Sequence, residues 1–343
     1  MTHTAVLICP GRGTYNREEL GYIAHHHADK SDVLGEFDAL RAAQGQVTIS
    51  DLDGAERFSA ATHTTGDAAS PLIFTASYMD AQSLADDIDV VAVTGNSMGW
   101  YTTLAIAGAV SPKDGFTIVN TMGKLMQDAL IGGQLVYPFT DNTWRDPSDE
   151  QSRLMSLVAD ISAQEGMELD LSIALGGMLV LAGNAAGLDA FSNAVPSKDG
   201  RFPMRLPNHA AFHSPLQAPI AKAGRGALPR TVFTQPKLPM IDGRGHIWWP
   251  HASDVEALWD YPLGHQVTEP YEITKALRIA AAAFAPDLFI ITGPGTTLGG
   301  AVAQSLVQAE WLGMTDKSGF QTRNAETPLL ISMGMTTQRA TVT

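Results

Sequence analysis

The opening third of the chain changes hydrophobic period repeatedly. Residues 5–9 (Ala-Val-Leu-Ile-Cys) are an unbroken apolar run that stops at Pro10-Gly11, which predicts a short buried strand. Helices are predicted around residues 18–27 and 32–43. Residues 71–85 place Leu72, Ile73, Tyr78, Met79 and Ala85 at apolar positions and predict a buried helix. Residues 89–94 form a β-branched run closed by Gly95, a second strand covered on both faces. Helices at residues 98–109 and 114–130 follow. Strand, tight turn and helix in alternation argue for an α/β fold with a parallel sheet.

The middle of the chain has another rhythm. Residues 132–206 read as strand, helix, strand, hairpin strand, helix, strand, with Gly176-Gly177 as the hairpin signal between residues 169–173 and 178–181. That order predicts an inserted α+β subdomain of ferredoxin-like type. The first rhythm then resumes, with strands at residues 238–241 and 287–291, a helix at 271–284 and another from Leu298. The expected organisation is a hydrolase-like α/β catalytic core, its short parallel sheet flanked by helices, from residues 1–131 and 207–312. Residues 132–206 are the insertion, and 313–343 a loosely patterned C-terminal tail.

Composition narrows the function. The chain has 343 residues, 45% hydrophobic and 17% charged, enough for a sizeable core. A net charge of -14 argues against nucleic-acid binding. Cys9 is the single cysteine, so no disulfide framework exists. No apolar run approaches membrane-spanning length and no signal-like segment opens the chain, so a cytoplasmic protein without membrane association is expected. His25-His26-His27 point around a helix rather than at one centre, and no metal site is expected.

The chemistry concentrates at Gly95-Asn96-Ser97-Met98-Gly99. This Gly-x-Ser-x-Gly stands between a predicted strand and a predicted helix, the setting of a nucleophile elbow. The glycines permit a tight turn and close approach of neighbouring chain. The turn lifts the Ser97 hydroxyl to a helix N-terminus, where the Met98 amide faces a developing oxyanion. His209, His213, His246, His251 and His265 lie downstream as possible bases, and spacing does not choose among them.

Four segments in order resemble the malonyl-CoA:acyl carrier protein transacylase family, including the acyltransferase domains of fatty-acid and polyketide synthases. They are Pro10-Gly11-Arg12-Gly13, the elbow with Trp100 after it, Ala211-Phe212-His213-Ser214-Pro215-Leu216-Gln217, and Gly293-Pro294-Gly295-Thr296-Thr297-Leu298. The resemblance implies that His213 is the base of a Ser–His dyad. A main-chain carbonyl near Gln266 would orient the imidazole, and the Arg12 amide would be the second oxyanion donor. Gly11, Asn96, Trp100 and Met122 are implied to line the substrate site. The implied substrates are acyl-CoA and the phosphopantetheine thiol of an acyl carrier protein, with no bound cofactor.

One departure concerns the substrate. Malonyl-using members carry an arginine in an Arg-Gly-Lys-x-Met-Gln motif that pairs with the malonyl carboxylate; here Met122-Gly123-Lys124-Leu125-Met126-Gln127 stands instead. Methionine offers no donor, and burying the carboxylate unpaired costs several kcal/mol. An acyl group without a carboxylate is therefore expected. Lys124, two positions on, points elsewhere on a helix, while Arg12 is a new cation at the mouth of the site.

Asn96 and Trp100 stand where the family has histidine and glutamate; a drier acyl pocket is one reading and neutral drift the other. Between Lys198 and Lys237 the bases Arg201, Arg205, Lys222, Arg225 and Arg230 face only one acid, Asp199, a candidate docking patch for phosphates or an acidic carrier protein. An acyl-thioester hydrolase on the same scaffold is the alternative activity.

Overall fold

In the computed structural model, which describes residues 2–146 and 148–343, the first apolar run becomes β1 (His3–Cys9). It lies between β2 (Ile88–Gly95) and β9 (Leu288–Ile291). Beyond β2 comes β7 (Met240–Ile241), beyond β9 comes β10 (Leu330–Ser332), and all five run parallel. A short antiparallel β8 (Ile247–Trp248) closes the β7 edge. The pleat sorts β1 between two cores: Ala5, Leu7 and Cys9 pack on one face, Val6 and Ile8 on the other. That double burial is why the run is apolar without alternation.

Helices Gly66–Ala81, Gly99–Ile106 and Pro112–Ala129 cover the first face, and Ile273–Phe284 and Gly299–Gln308 the second. The helix Pro112–Ala129 shows its local code. Ser111 accepts a hydrogen bond from the Asp114 amide, proline occupies the first turn, and Leu130 ends the helix in the left-handed region at φ 42°. The helical stretch expected over residues 18–27 is broken. Gly21 adopts φ 86° and separates a 3-10 turn from the short helix Tyr22–His26.

The second sheet contains β3 (Gly133–Pro138), β4 (Leu169–Leu175), β5 (Met178–Gly183) and β6 (Met204–Arg205). Its order is β4-β5-β3-β6, antiparallel throughout. With helices Glu150–Ser162 and Ala185–Ala194 between strands, this is the ferredoxin-like βαββαβ arrangement. Leu135, Val136 and Leu179 share one core with Val6 and Ile8 of the large sheet. The two sheets therefore face a common apolar layer.

Residues 313–343 are not a loose tail. They form the helix Lys317–Glu326, edge strand β10 on β9, and a last turn of helix at Thr336–Arg339. The helix Lys317–Glu326 buries only Phe320 and the strand is three residues long, so neither leaves a periodic signal in the sequence. Their anchor is electrostatic. Asp80, fully buried, accepts hydrogen bonds from Arg339 Nη1 at 2.5 Å, His27 Nε2 at 2.8 Å, Tyr22 Oη at 2.9 Å and the Gly293 amide at 2.5 Å. Burial alone would raise the Asp80 pKa, but the His27 hydrogen bond and the Arg339 charge bring it below the usual carboxylate range. Arg339→Ala leaves a buried carboxylate short of its cation and is expected to cost about 3 kcal/mol. Urea unfolding of the variant beside Arg339→Lys measures it.

Candidate active site

Three of the sequence motifs leave the carboxyl ends of three neighbouring strands. Pro10–Gly13 follows β1, the serine turn follows β2, and Gly293–Gly295 follows β9. In an open parallel sheet this edge is where ligands bind. The Asn96 amide donates to the Cys9 carbonyl at 2.9 Å, carrying the β1–β2 pairing into the turn. A Cβ at Gly99 would collide with that same Cys9 carbonyl, and one at Gly95 would collide with the Gly99 carbonyl. Ser97 itself sits at φ 54°, in the left-handed region, the strained posture of a nucleophile elbow.

His213 reaches Ser97 from the segment that returns from the second sheet. Ser172 Oγ donates to the Phe212 carbonyl at 2.8 Å and Ser214 Oγ to the Ala211 carbonyl at 2.7 Å, fixing a backbone on which His213 also has a left-handed φ of 58°. Its Nε2 lies 2.7 Å from Ser97 Oγ, and its Nδ1 lies 2.5 Å from the Gln266 carbonyl oxygen. A carbonyl only accepts, so Nδ1 carries the proton and Nε2 is left to accept from the serine. The Gln266 side chain closes the circuit: its Nε2 donates to the Ser97 carbonyl at 3.0 Å. Burial drives the His213 pKa down to about 4, with the Gln266 carbonyl acting weakly in the opposite sense. The imidazole is therefore neutral near pH 7, the form a general base requires.

Neither the Met98 nor the Arg12 amide donates to a protein acceptor among the described residues. A Cβ on Gly11 would lie 2.7 Å from the Asn96 carbonyl oxygen, so the Arg12 loop abuts the elbow. Two cavities open on Ser97. One, of about 30 Å³, is walled by Met98, Tyr101, Met122, Met126, Phe212 and Val267, with Arg12 on its rim. The other is a cleft of about 640 Å³ between Gly11, Asn96 and Ser97 on one side and Val136, Ile173 and Val180 of the second sheet on the other.

Trp100 does not line the site. It is fully buried, stacks edge-on against Tyr261 at 5.4 Å between ring centroids, and borders neither cavity. One residue past Gly99, its side chain turns into the helical layer. Arg12 lines both cavities; its Nη2 donates to the Thr64 carbonyl at 2.6 Å and the Asn208 carbonyl at 2.9 Å, the guanidinium lies over Phe212, and Nε is buried without a partner among the described residues. Burial lowers its pKa to about 10, which nearby Asp67 partly offsets. His209 lies beside Gln134, its Nδ1 2.9 Å from Oε1. Part of the basic window is paired on folding: Arg225 with Asp260, Arg230 with Glu256 and Arg205 with Asp189. Among the described residues, no group of three or more His, Cys, Asp or Glu side chains converges as a metal site. No described helix is long and apolar enough to cross a membrane.

The comparisons with known proteins fit this geometry. The relatives and structural neighbours of this chain are malonyl-CoA:acyl carrier protein transacylases and polyketide synthases. The transacylase of Salmonella typhimurium is 24% identical over 211 residues, 61% of this chain and 63% of that protein's length. Polyketide synthase GfsB of Streptomyces halstedii is 26% identical over 208 residues, 60% of this chain and 3% of that protein. The acyl-carrier-protein S-malonyltransferase of Burkholderia pseudomallei superimposes with a TM-score of 0.77 at 21% identity, covering 98% of both chains. A malonyl transacylase solved with a type II polyketide synthase acyl carrier protein gives 0.71 at 18% identity, over 95% of this chain and all of that one. No protein-family profile matches. The chain thus has the transacylase fold at low sequence identity.

Several residues at this transacylase-like site left no sequence signal. Tyr271 donates its hydroxyl to the Gly95 carbonyl and sets its ring 5.3 Å from His213. Ser172, from β4, fixes the His213 backbone across the subdomain boundary. Both act through contacts between distant segments, which no local pattern encodes. A depressed His213 pKa has a direct test. Its ring NMR signal, assigned by loss in His213→Ala, is expected to stay in the neutral position from pH 7 down to about 5 and to titrate near 4. A midpoint at the ordinary value of about 6.5 contradicts the dry environment described above.

Proposed function

We propose that the chain is a serine acyltransferase that moves an acyl group from coenzyme A to the phosphopantetheine thiol of an acyl carrier protein. The observation that carries the reading is the unbroken hydrogen-bond chain from Ser97 through His213 to the Gln266 carbonyl, set in a transacylase fold. His213 takes the Ser97 proton as the serine oxygen attacks the thioester carbonyl; the C–S bond breaks and coenzyme A leaves with that proton. The carrier thiol then gives its proton to His213 and attacks the acyl-serine, and the proton returns to Ser97. The Met98 and Arg12 amides face the oxyanion in both halves, each contributing about 3 kcal/mol. The larger cleft suits a pantetheine arm in length and in its mixed lining.

The acyl group we propose carries no carboxylate. Met122 is fully buried against the small cavity, and the nearby Arg12 has its Nη2 held by two backbone carbonyls, with Nε its buried unpartnered donor. Intact-mass trapping with acetyl-CoA and malonyl-CoA tests both parts. Acetyl is expected to label Ser97 at least about tenfold faster than malonyl, given the several kcal/mol that an unpaired buried carboxylate costs. Met122→Arg is expected to shift the ratio towards malonyl, Ser97→Ala to abolish label, and His213→Ala to slow it roughly 10²–10⁴-fold. Faster labelling by malonyl-CoA in the wild type overturns the preference. Release of acyl groups without a carrier thiol, at the same rate as with one, favours hydrolysis over transfer.

A further inference from the structure

The small cavity beside Ser97 has a length as well as a chemistry. It is much the smaller of the two cavities that open on Ser97, about 30 Å³ against about 640 Å³, so an acyl chain seated in it meets the walls soon after its carbonyl carbon. Away from Ser97, His213 and Gln266 the lining is mostly apolar, with Arg12 and Ser70 the other polar residues: Tyr101 turns its hydroxyl towards the Pro262 carbonyl at 3.3 Å, leaving its ring and the thioethers of Met98, Met122 and Met126 on the cavity side.

What sets this depth is a contact between two helices. Met122 belongs to the helix Pro112–Ala129, and Gly224 to the facing helix Ala218–Ala227. A Cβ built on Gly224 would lie 2.7 Å from Met122 Sδ, 3.3 Å from Cε and 3.7 Å from Leu263. The thioether therefore rests in the notch that glycine leaves in the opposite helix. It is one wall of the cavity and is held there by that contact. A larger residue at position 224 has no room unless the thioether moves, and the open side is the cavity.

We propose that Met122 seated on Gly224 is the gauge of acyl length, restricting Ser97 to short straight acyl groups. The proposal rests on the acyl-serine reading above and adds a size limit to it. Removing Cγ, Sδ and Cε of Met122 extends the cavity into the space between the helices. Adding a methyl at Gly224 acts oppositely, by driving the thioether into the cavity.

Rates of Ser97 labelling with acetyl-, propionyl-, butyryl- and hexanoyl-CoA, followed by intact mass, test this. The readout is the ratio of rates within each variant, so a variant slower with every acyl group still reports length. Wild type is expected to take hexanoyl at least tenfold more slowly than acetyl. Met122→Ala is expected to raise the hexanoyl-to-acetyl ratio at least tenfold, Met122→Val less. Gly224→Ala is expected to lower the propionyl-to-acetyl ratio. Circular dichroism confirms that each variant is folded. Equal wild-type rates for hexanoyl and acetyl, or a ratio unmoved in folded Met122→Ala and Gly224→Ala alike, overturns the gauge while leaving the acyl-serine reading intact. Absence of label from every acyl-CoA overturns that reading and the gauge with it.

Discussion

The missing side chain at Gly99 sets the closest approach in the site. With no Cβ there, the start of the helix Gly99–Ile106 rests directly on the Cys9 carbonyl at the end of β1. That contact brings the loop after β1 against the turn after β2. Gly11 meets the Asn96 carbonyl in the same way from the other side. The serine, its strained φ and the two free amides all follow from how tightly these two strand ends converge. The third loop is held from below: Asp80 binds the Gly293 amide, and Gly295 packs on Thr14 of the first loop. The C-terminal residues, through Arg339, thus belong to the support of the active edge.

Dryness is the second organising constraint. The same burial that depresses the His213 pKa lowers that of Arg12 and raises that of Cys9, which stands at the end of β1 with a pKa of about 12. A thiol so shifted stays protonated and is no rival nucleophile. The imidazole keeps its tautomer because its far nitrogen faces a backbone carbonyl, and no carboxylate is needed to hold it. In such surroundings a charge is tolerated only where donors await it.

Surface charge shows how far folding redistributes what a linear reading collects. Seven bases between Lys198 and Lys237 face one acid in the sequence. In the structure Arg225 and Arg230 reach across to Asp260 and Glu256 on the helix Val255–Leu263, some thirty residues away. The Arg225 pairing ties the helix Ala218–Ala227 to the helix Val255–Leu263 near the Gly224 notch, so part of the apparent basic patch is neutralised.

The sequence by itself determined the local elements and the covalent order of the chemistry. Largely apolar runs without alternation marked β1, β2 and β9, because a parallel strand covered on both faces buries most of its side chains. The ferredoxin-like insertion was legible from its strand–helix rhythm and the Gly176-Gly177 hairpin. Ser97 was legible because an elbow needs glycine at fixed offsets, while His213 and Gln266 were nominated by the family resemblance, spacing alone leaving five downstream histidines open. Only the tertiary structure decided what depends on contacts between distant segments. It removed Trp100 from the site, since its partner Tyr261 is unknowable from either local sequence. It turned the tail into an edge strand through a buried ion pair whose members are 259 residues apart. And it gave Met122 its place, because whether a methionine fills a pocket or bounds it depends on the glycine opposite. Helix-to-helix distance is a property of the packed core, which no periodicity along one chain segment records.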